Sequence, residues 1–477
     1  MYLEDDTICA IATPLGVGGI AVIRVSGENA LKVVNPWIQL KKKEMQLGEA
    51  ATHRLFFANF VAEGELLDEV VVAVFRNPHS YTGEDVVEIS CHGSVYVQRR
   101  ILEALIGAGA RLAKGGEFTM RAFLNGKMDL SQAEAVMDLI GAENKASHHI
   151  AMKQLKGGFS SDIALLRQKL LDFASLIELE LDFSEEDVEF ADRKQLLALL
   201  TEIKETIGKL RTSFALGNVL KNGIAVAIVG RPNVGKSTLL NALLNEEKAI
   251  VSEIAGTTRD MIEDVVNLDG VLFRFIDTAG LRNTEDTIEK MGIERTRKRM
   301  EEAQVVLYLF DAKTQTIEDV LVEVDAMMQV WGQKGVMEGK QVILVGNKVD
   351  MLKMTVKEKT DNKAEGCVKG ERASYKIIWI SAKKKENLSQ VEEALRAVVN
   401  LEGLEDRTIV NNARHYEALG LGLADVERVE EELQNGVPGD LVAIDIREAL
   451  RHLGEITGEV RGEDLLGNVF GRFCIGK

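Results

Sequence analysis

The chain has 477 residues, 46% of them hydrophobic and 28% charged, with a formal net charge of −17. These are globular values at a length that suits about two to four domains. A generic polyanion binder would be basic, so any nucleic-acid contact must be local rather than carried by the overall field.

Residues 1 to about 118 read as mixed α/β. "TICAIAT" and "GIAVIRVSG" form short strands around the turn "PLGVGG", and "DEVVVAVF" and "DVVEIS" are further strands. "VQRRILEALIGAGA" is a helix that ends at glycine. From 119 to 215 the pattern becomes helical. Ile163, Leu166, Leu170, Phe173 and Ile177 recur at helical spacing, as do Leu196, Leu200, Ile203, Ile207 and Leu210. Eight acids and no base lie between Glu178 and Asp192, which reads as a solvated face without chemistry.

Residues 216–383 alternate apolar strands with helices: "GIAVAIVG", "LFRFIDTAG", "VVLYLFDA", "KQVILVGNKVD" and "KIIWISA". That is the pattern of a mostly parallel, doubly wound sheet. The Lys-rich "KMTVKEKTDNKAEGCVKGERAS" reads as a long surface loop before the last strand. Residues 384–477 are helical again. Leu388, Val391, Leu395 and Val398 share one face. Asp440 is placed to cap a helix carrying Val442, Ile446, Ala449, Leu450 and Leu453, with Gly454 at its end. The expected architecture is multidomain α/β plus α: an N-terminal α+β domain, then a discontinuous helical domain split by an inserted, Ras-like, doubly wound P-loop domain.

"GRPNVGKS", Gly230 to Ser237, matches GxxxxGK[ST] directly after a strand. Its glycines let backbone N–H groups wrap phosphates at a helix N-terminus. Lys236 would reach the β- and γ-phosphates, and Ser237 would ligate Mg²⁺. "FIDTAG" places Asp277 near the metal shell and Gly280 near the γ-phosphate. "GTTRD" supplies Thr257 and Thr258 on a switch loop. In "NKVD", Asp350 can accept from the guanine N1–H and 2-amino group, which adenine does not offer; such mismatches discriminate by about 10⁴ or more. "SAK", at Ser381 to Lys383, follows the next strand. Together these elements favour GTP over ATP. Leu281 stands after "DTAG", where a Ras-like GTPase has its water-orienting Gln. Leucine cannot polarise water, so Glu289 downstream is the candidate, against a solvated helix carboxylate. The carbonyl of Asn233 could hold a monovalent cation beside the phosphates; the alternative is a simple turn residue.

Four cysteines, Cys9, Cys91, Cys367 and Cys474, form no CxxC, which suits a reducing, cytoplasmic setting. Cys91 and His92 are strand neighbours and point to opposite faces, a poor dyad. The acidic start resembles neither a signal nor a transit peptide, and no membrane span is expected. The tail "FCIGK" does not fit a prenylation signal: it ends in Lys477, Gly476 is not aliphatic, and no polybasic run precedes Cys474. A ribosome-assembly switch GTPase would share the nucleotide motifs. It would usually add a basic RNA-binding module, and no KH-type GXXG stands in a basic setting.

"GRPNVGKSTLLNALL", "AGTTRD", "DTAGLR", "SYTGEDVVEISCHGS", "GEFTMRAFLNGKMDLSQAEAVMDLI" and the final "CIGK" together resemble the MnmE (TrmE) family of tRNA-modification GTPases, over essentially the whole chain. The "GEFT" to "DLI" stretch and the tail are the most specific parts. Cys91 stands in "SCHGS" where the family often has "GHGG". The resemblance implies addition of an aminomethyl-type group to C5 of the wobble uridine of certain tRNAs. It implies a flavin-dependent partner, MnmG, that supplies FAD in a heterotetramer, and a reduced folate such as 5-formyl-tetrahydrofolate in the N-terminal domain. It also implies a homodimer through that domain and GTP hydrolysis that needs Mg²⁺ and K⁺.

By the same resemblance, Asn233, Ser252, Ile254 and Thr257 are K⁺ ligands, and Ser237 and Thr258 are Mg²⁺ ligands. Glu289 organises the attacking water, so the catalytic candidates are Glu289, Asn233, Lys236 and, for tRNA chemistry, Cys474. The GTP set comprises Asn233, Val234, Gly235, Lys236, Ser237 and Thr238 of the phosphate loop. It continues with Ser252, Glu253, Ile254, Ala255, Gly256, Thr257 and Thr258, then Asp277, Thr278, Ala279 and Gly280, and ends with Asn347, Lys348, Asp350, Ser381 and Ala382. Arg24, Glu88, Lys127 and the terminal Lys477 match the folate positions. Physical chemistry agrees in part: three cations can pair with folate carboxylates, and Glu88 can accept from pterin N–H groups.

Overall fold

The computed structural model describes residues 6–41, 47–182, 193–244, 264–276, 302–332, 340–352, 367–369, 374–398, 408–460, 463–471, 473 and 475–476. The chain forms two compact units: residues 1–141, 151–208 and 417–477, and residues 142–150 with 209–416. The second is thus an insertion in the first.

The first unit begins with a seven-stranded sheet. Its strands are β1 (Ile8–Ile11), β2 (Gly18–Ser26), β3 (Ile38–Leu40), β4 (Arg54–Ala62), β5 (Glu65–Phe75), β6 (Val86–Gly93) and β7 (Arg111–Leu112), in the spatial order β3-β4-β5-β6-β2-β1-β7. Strand residues alternate between faces. Ala21, Ile23, Val25, Ala58, Phe60, Val70, Val72, Val74, Val87, Ile89 and Cys91 point to one side, where helices α1 (Ala30–Val34) and α2 (Val95–Gly107) cover them. Among the described residues, the other face is covered only at its β1 side. There Ile8 and Ala10 pack on Ala113 and on Phe118 of helix α3 (Glu117–Leu124), with Tyr81 beside them. At the β4–β5 side Leu55, Phe57 and Val71 remain exposed.

Helix α4 (Leu130–Ile140) follows, and its start explains the "DLSQAEAV" stretch. The Asp129 carboxylate accepts from the Gln132 amide N–H at 2.9 Å, and the Gln132 side chain accepts from the Asp129 N–H at 2.9 Å. This is a reciprocal capping box. Helix α5 (Lys145–Leu155) leads to the long α6 (Gly158–Asp182) and α7 (Arg193–Asn222). Ile163, Leu166, Leu170, Phe173 and Ile177 of α6 are all buried, as are Leu200, Ile203, Ile207 and Leu210 of α7.

The second unit carries a sheet of β8 (Ile224–Val229), β9 (Asp264–Leu268), β10 (Val271–Phe275), β11 (Val305–Asp311), β12 (Gln341–Asn347), β13 (Cys367–Lys369) and β14 (Ser374–Trp379). Its order is β13-β14-β12-β11-β8-β10-β9. The five inner strands are parallel and the two edge strands antiparallel. Apolar cores line both faces, as a doubly wound sheet requires. Helix α8 (Lys236–Leu244) packs into one face, and helix α9 (Ile317–Gly332) puts Val320 and Val324 into the other. Helix α10 (Leu388–Arg396) lies beyond the sequence boundary at 383, yet its Leu388, Val391, Ala394 and Leu395 pack in the core with Ile224 and Ile378. The unit accordingly runs on to residue 416.

Three details differ from the sequence expectation. Cys367–Lys369, within the expected surface loop, pairs with β14 as an edge strand. Strands β4 and β9 are present although neither was singled out. In the first unit, helix α11 (Ala413–Gln434) precedes α12 (Gly439–Thr457) and α13 (Glu463–Phe470). Asp440 lies in the first turn of α12 rather than capping it, and α12 continues through Gly454 to a left-handed cap at Gly458, φ 79°. Gly454 admits the chain that follows α12: a Cβ there would stand 3.0 Å from Val460 Cγ2, and its carbonyl accepts from the Val460 N–H at 3.3 Å.

An ion network ties the "GEFTMR" stretch to the sheet. Glu117 accepts from Arg111 at 2.6 Å and from Arg121 at 3.2 Å, while Arg121 also reaches Asp6 at 2.6 Å and Glu84 at 3.1 Å. Burial pushes the Glu117 carboxyl up, but Arg111, the Lys114 amide and Arg121 outweigh it and hold it below its ordinary 4.5. Burial also raises Asp6, and Arg111 and Arg121 bring it below 3.8. Both groups titrate lower in the folded than in the unfolded chain. Their stabilisation is therefore full above the ordinary values and fades as pH falls through the lowered ones. We expect Glu117→Gln to lower the unfolding midpoint at neutral pH and to flatten its decline below about pH 4.5, measured by thermal unfolding across pH 3–7.

Candidate functional site

Strand β8 is buried along its whole length and delivers the chain to the loop 230–235. Two glycines there are forced. At Gly230, φ 147°, a Cβ would lie 2.0 Å from the Leu309 carbonyl oxygen. At Gly235, φ 100°, it would lie 2.3 Å from Asn347 Nδ2. Asn233 takes the left-handed region at φ 60°, which Asn tolerates better than most residues. Helix α8 starts at Lys236, so its free N–H groups face the loop. The Lys236 ammonium donates to the carbonyls of Gly230 at 2.9 Å and Arg231 at 2.8 Å.

The loop is pinned from β12. Asn347 is buried; its Nδ2 donates to Val234 O at 2.8 Å, and its Oδ1 accepts from the Ala382 N–H at 3.0 Å. Lys348, φ 65°, donates from Nζ to Asn233 O at 2.8 Å and to Asp311 Oδ2 at 2.7 Å. Burial raises the Asp311 carboxyl, but Lys348 and the Lys313 amide outweigh it and hold it below the usual carboxylate range. Ser381 Oγ donates to Asp350 Oδ1 at 2.7 Å and accepts from the Lys384 N–H at 3.2 Å. The phosphate-loop, "NKVD" and "SAK" stretches therefore meet at the carboxyl ends of parallel strands, where ligands of such sheets bind. The Asn233 backbone carbonyl takes the Lys348 ammonium, and the Asn233 side chain is exposed. Ser237 lies on the first turn of α8, with Thr238 exposed beside it. Ser252, Glu253, Ile254, Ala255, Gly256, Thr257, Thr258, Asp277, Thr278, Ala279, Gly280 and Glu289 lie outside the described residues. Asp311 escaped the sequence argument; its position at the end of a buried strand was the available signal.

A second cluster lies on the N-terminal sheet, at the border between the covered and open parts of its outer face. Arg24 and Glu88 are cross-strand partners on β2 and β6, with Arg24 Nε donating to Glu88 Oε1 at 2.9 Å. The Arg24 guanidinium stands 5.3 Å from the Tyr81 ring centre and 5.5 Å from that of Phe118, within cation–π range. Lys127 donates to Pro78 O at 2.9 Å, and its stem lies 3.4 Å from where a Gly83 Cβ would stand. It thus flanks the segment that carries Tyr81. Cys474 and Lys477 lie outside the described residues, but their neighbours are seated in the first unit. Phe473 is buried with Met120 and Phe123, Ile475 forms a β-bridge with Gly115, and a Cβ on Gly476 would meet Ile11 O at 2.1 Å. Tyr81 and Phe118 were not foreseen, because only the folded sheet brings them under Arg24.

Cys91 is buried, and burial pushes its thiol up to about 11. His92 faces the other way and bonds to Asp68 at 2.7 Å, so the pair forms no dyad. Among the described residues no cluster of His, Cys, Asp or Glu could hold a metal, and no helix is long and apolar enough to cross a membrane.

Comparison with known proteins covers nearly the whole chain. The family described as GTP-binding protein TrmE N-terminus matches residues 7–127, and the MnmE helical domain family matches residues 130–474. A tRNA modification GTPase MnmE of Christiangramia forsetii is 52% identical over 99% of this chain and 99% of its own. The protein of that name from Flavobacterium johnsoniae is 51% identical over 100% of both chains, and that of Cytophaga hutchinsonii 49% over 99% and 98%.

Asn347→Asp keeps the contact to Ala382 but turns a carboxylate oxygen on the Val234 carbonyl. An unsatisfied buried group of this kind costs about 1–3 kcal/mol. We expect a GDP affinity at least about tenfold lower, measured by calorimetric titration.

Proposed function

Because the chain belongs to the MnmE family of tRNA modification GTPases, we propose that it couples GTP hydrolysis to the addition of an aminomethyl-type group to C5 of the wobble uridine of certain tRNAs. The one-carbon unit comes from a reduced folate such as 5-formyl-tetrahydrofolate and the nitrogen from an amine co-substrate, while a flavin-dependent MnmG partner supplies FAD, which would carry the electrons that reduce the formyl carbon. The observation that carries this reading is the joint presence of two polar sites of different chemistry, the pinned phosphate loop and the Arg24–Glu88 pair beside the seated tail.

In the nucleotide site, backbone N–H groups of the loop and the start of α8 bind phosphate, and Lys236 turns from its two carbonyls to the β- and γ-phosphates. Ser237 and Thr258 would hold Mg²⁺, which would supply positive charge to offset that of the phosphates. Asn233, Ser252, Ile254 and Thr257 would hold K⁺. Asp350, already oriented by Ser381, accepts from guanine. With Leu281 in place of a glutamine, Glu289 orders the water. The remaining switch residues, Asp277 to Gly280, sense the γ-phosphate, and the K⁺-dependent cycle drives a conformational change.

In the folate site, Glu88 accepts from the pterin, and Arg24, Lys127 and Lys477 pair with carboxylates. Tyr81 and Phe118 give Arg24 an aromatic wall that fixes its direction. Cys474, two residues from Gly476 in sequence, acts in the tRNA reaction rather than in GTP hydrolysis. The exposed Leu55, Phe57 and Val71 on the same sheet face support a homodimer through this domain. A cytoplasmic location fits these partners.

Two measurements test this. GTP hydrolysis is expected to be faster in K⁺ than in Na⁺, and 5-formyl-tetrahydrofolate to bind saturably. Arg24→Ala should weaken folate binding by about tenfold or more, the loss of a charge-assisted contact, while GTP turnover stays unchanged. Equal rates in both salts together with no folate binding would remove the proposal.

A further inference from the structure

Lys348 is the joint between base recognition and the phosphate loop, and its own position needs a cause. A lysine stem is flexible and its ordering costs conformational entropy. Lys348 is moreover held in the left-handed region, at φ 65°, on the turn after β12. Only two acceptors hold its ammonium among the hydrogen bonds of the described residues: the Asn233 carbonyl and the Asp311 carboxylate.

Asp311 is built for this task. It is the last residue of β11 and stands in register with Asn347, the residue before Lys348. Its Oδ1 accepts from the Lys313 N–H at 2.9 Å, which fixes the carboxylate and aims Oδ2 at the lysine. Its side chain is 14% exposed and that of Lys348 30%, so the pair is partly shielded from solvent. The Asp311 N–H and the Ala312 N–H bond in turn to Gln315 Oε1 at 3.4 Å and Asn347 O at 2.9 Å, which holds the strand end itself.

We propose that Asp311 is a positioning residue for guanine-nucleotide binding, acting through Lys348, which it holds on the Asn233 carbonyl of the phosphate loop. Without the carboxylate the ammonium keeps one acceptor. The stem is then free to leave the groove between the two loops, and Asn233 loses the tie that holds it toward "NKVD". The inference rests on the guanine reading of that loop.

The test is titration of a fluorescent GDP analogue, and separately of an ADP analogue, into the full chain. The variants are Asp311→Ala, Asp311→Asn, Lys348→Met and the double variant Asp311→Ala/Lys348→Met, each with its thermal midpoint. Asp311→Ala is expected to bind GDP about tenfold more weakly, the usual scale for a hydrogen bond to a charged group. Asp311→Asn, which keeps a neutral acceptor, should lose less. The double variant should bind no more weakly than Lys348→Met alone, since both act through one contact. Wild-type affinity in both Asp311 variants overturns the proposal, and so do losses that multiply in the double variant. If Asp311→Ala fails to fold, Asp311→Asn with Lys348→Met closes the same cycle. Wild-type chain that takes ADP as readily as GDP overturns the guanine reading instead.

Discussion

The buried amide of Asn347 ties three loops that come from distant parts of the chain. Its donor goes to Val234 in the phosphate loop and its acceptor takes the Ala382 N–H after β14. A side chain with one donor group and one acceptor group in a fixed plane is required, because a buried carbonyl and a buried N–H both need partners. The close approach of Gly235 to this amide sets the loop's backbone, and Lys348, one residue on, adds the second tie to Asn233. The phosphate loop and the turns after β12 and β14 are thereby held in one arrangement. Preorganisation of this sort spares the binding step much of its ordering cost.

The N-terminal sheet works under a different constraint. One face is sealed by helices, while among the described residues the other is sealed only along β1, by Phe118 and Ala113. Arg24 and Glu88 sit at that border, where the aromatic rings shield them from one side and the other stays accessible. The ion network of Glu117 and Arg121 fixes α3, and α3 carries Phe118. The specific sequence stretch "GEFTMRAF" is thus a support for the site more than a part of it. The same holds for "DLSQ", whose residues close a helix cap.

The nucleotide site was legible because its chemistry is local: "GRPNVGKS" and "NKVD" each bring backbone and side chain together within a few residues. The doubly wound sheet was legible from its unbroken apolar strands. Asp311 was not, since a single acid at a strand end has meaning only once β12 lies beside it. Tyr81 was hidden for the same reason. Strand β4, "RLFFANFVA", was passed over because its open face keeps Leu55 and Phe57, which blurs the apolar–polar alternation that marks a half-buried strand. Gly454 misled in the opposite sense. A glycine near a helix end suggests a stop, yet here it makes room for Val460. The roles of Arg24, Glu88 and Lys127 came from the family resemblance; their residue types alone would have suggested surface ion pairs.

The proposed chemistry requires that these two sites serve one reaction on tRNA. It is tested most directly by nucleoside analysis of unmodified tRNA incubated with this chain, GTP, Mg²⁺, K⁺, 5-formyl-tetrahydrofolate, an amine donor such as ammonium, the flavin-dependent partner and a reductant for its flavin. The account predicts a C5-aminomethyl-type wobble uridine in the complete mixture, and unmodified uridine when either GTP or the folate is omitted. Unmodified uridine from the complete mixture, while GTP is being hydrolysed, would contradict it.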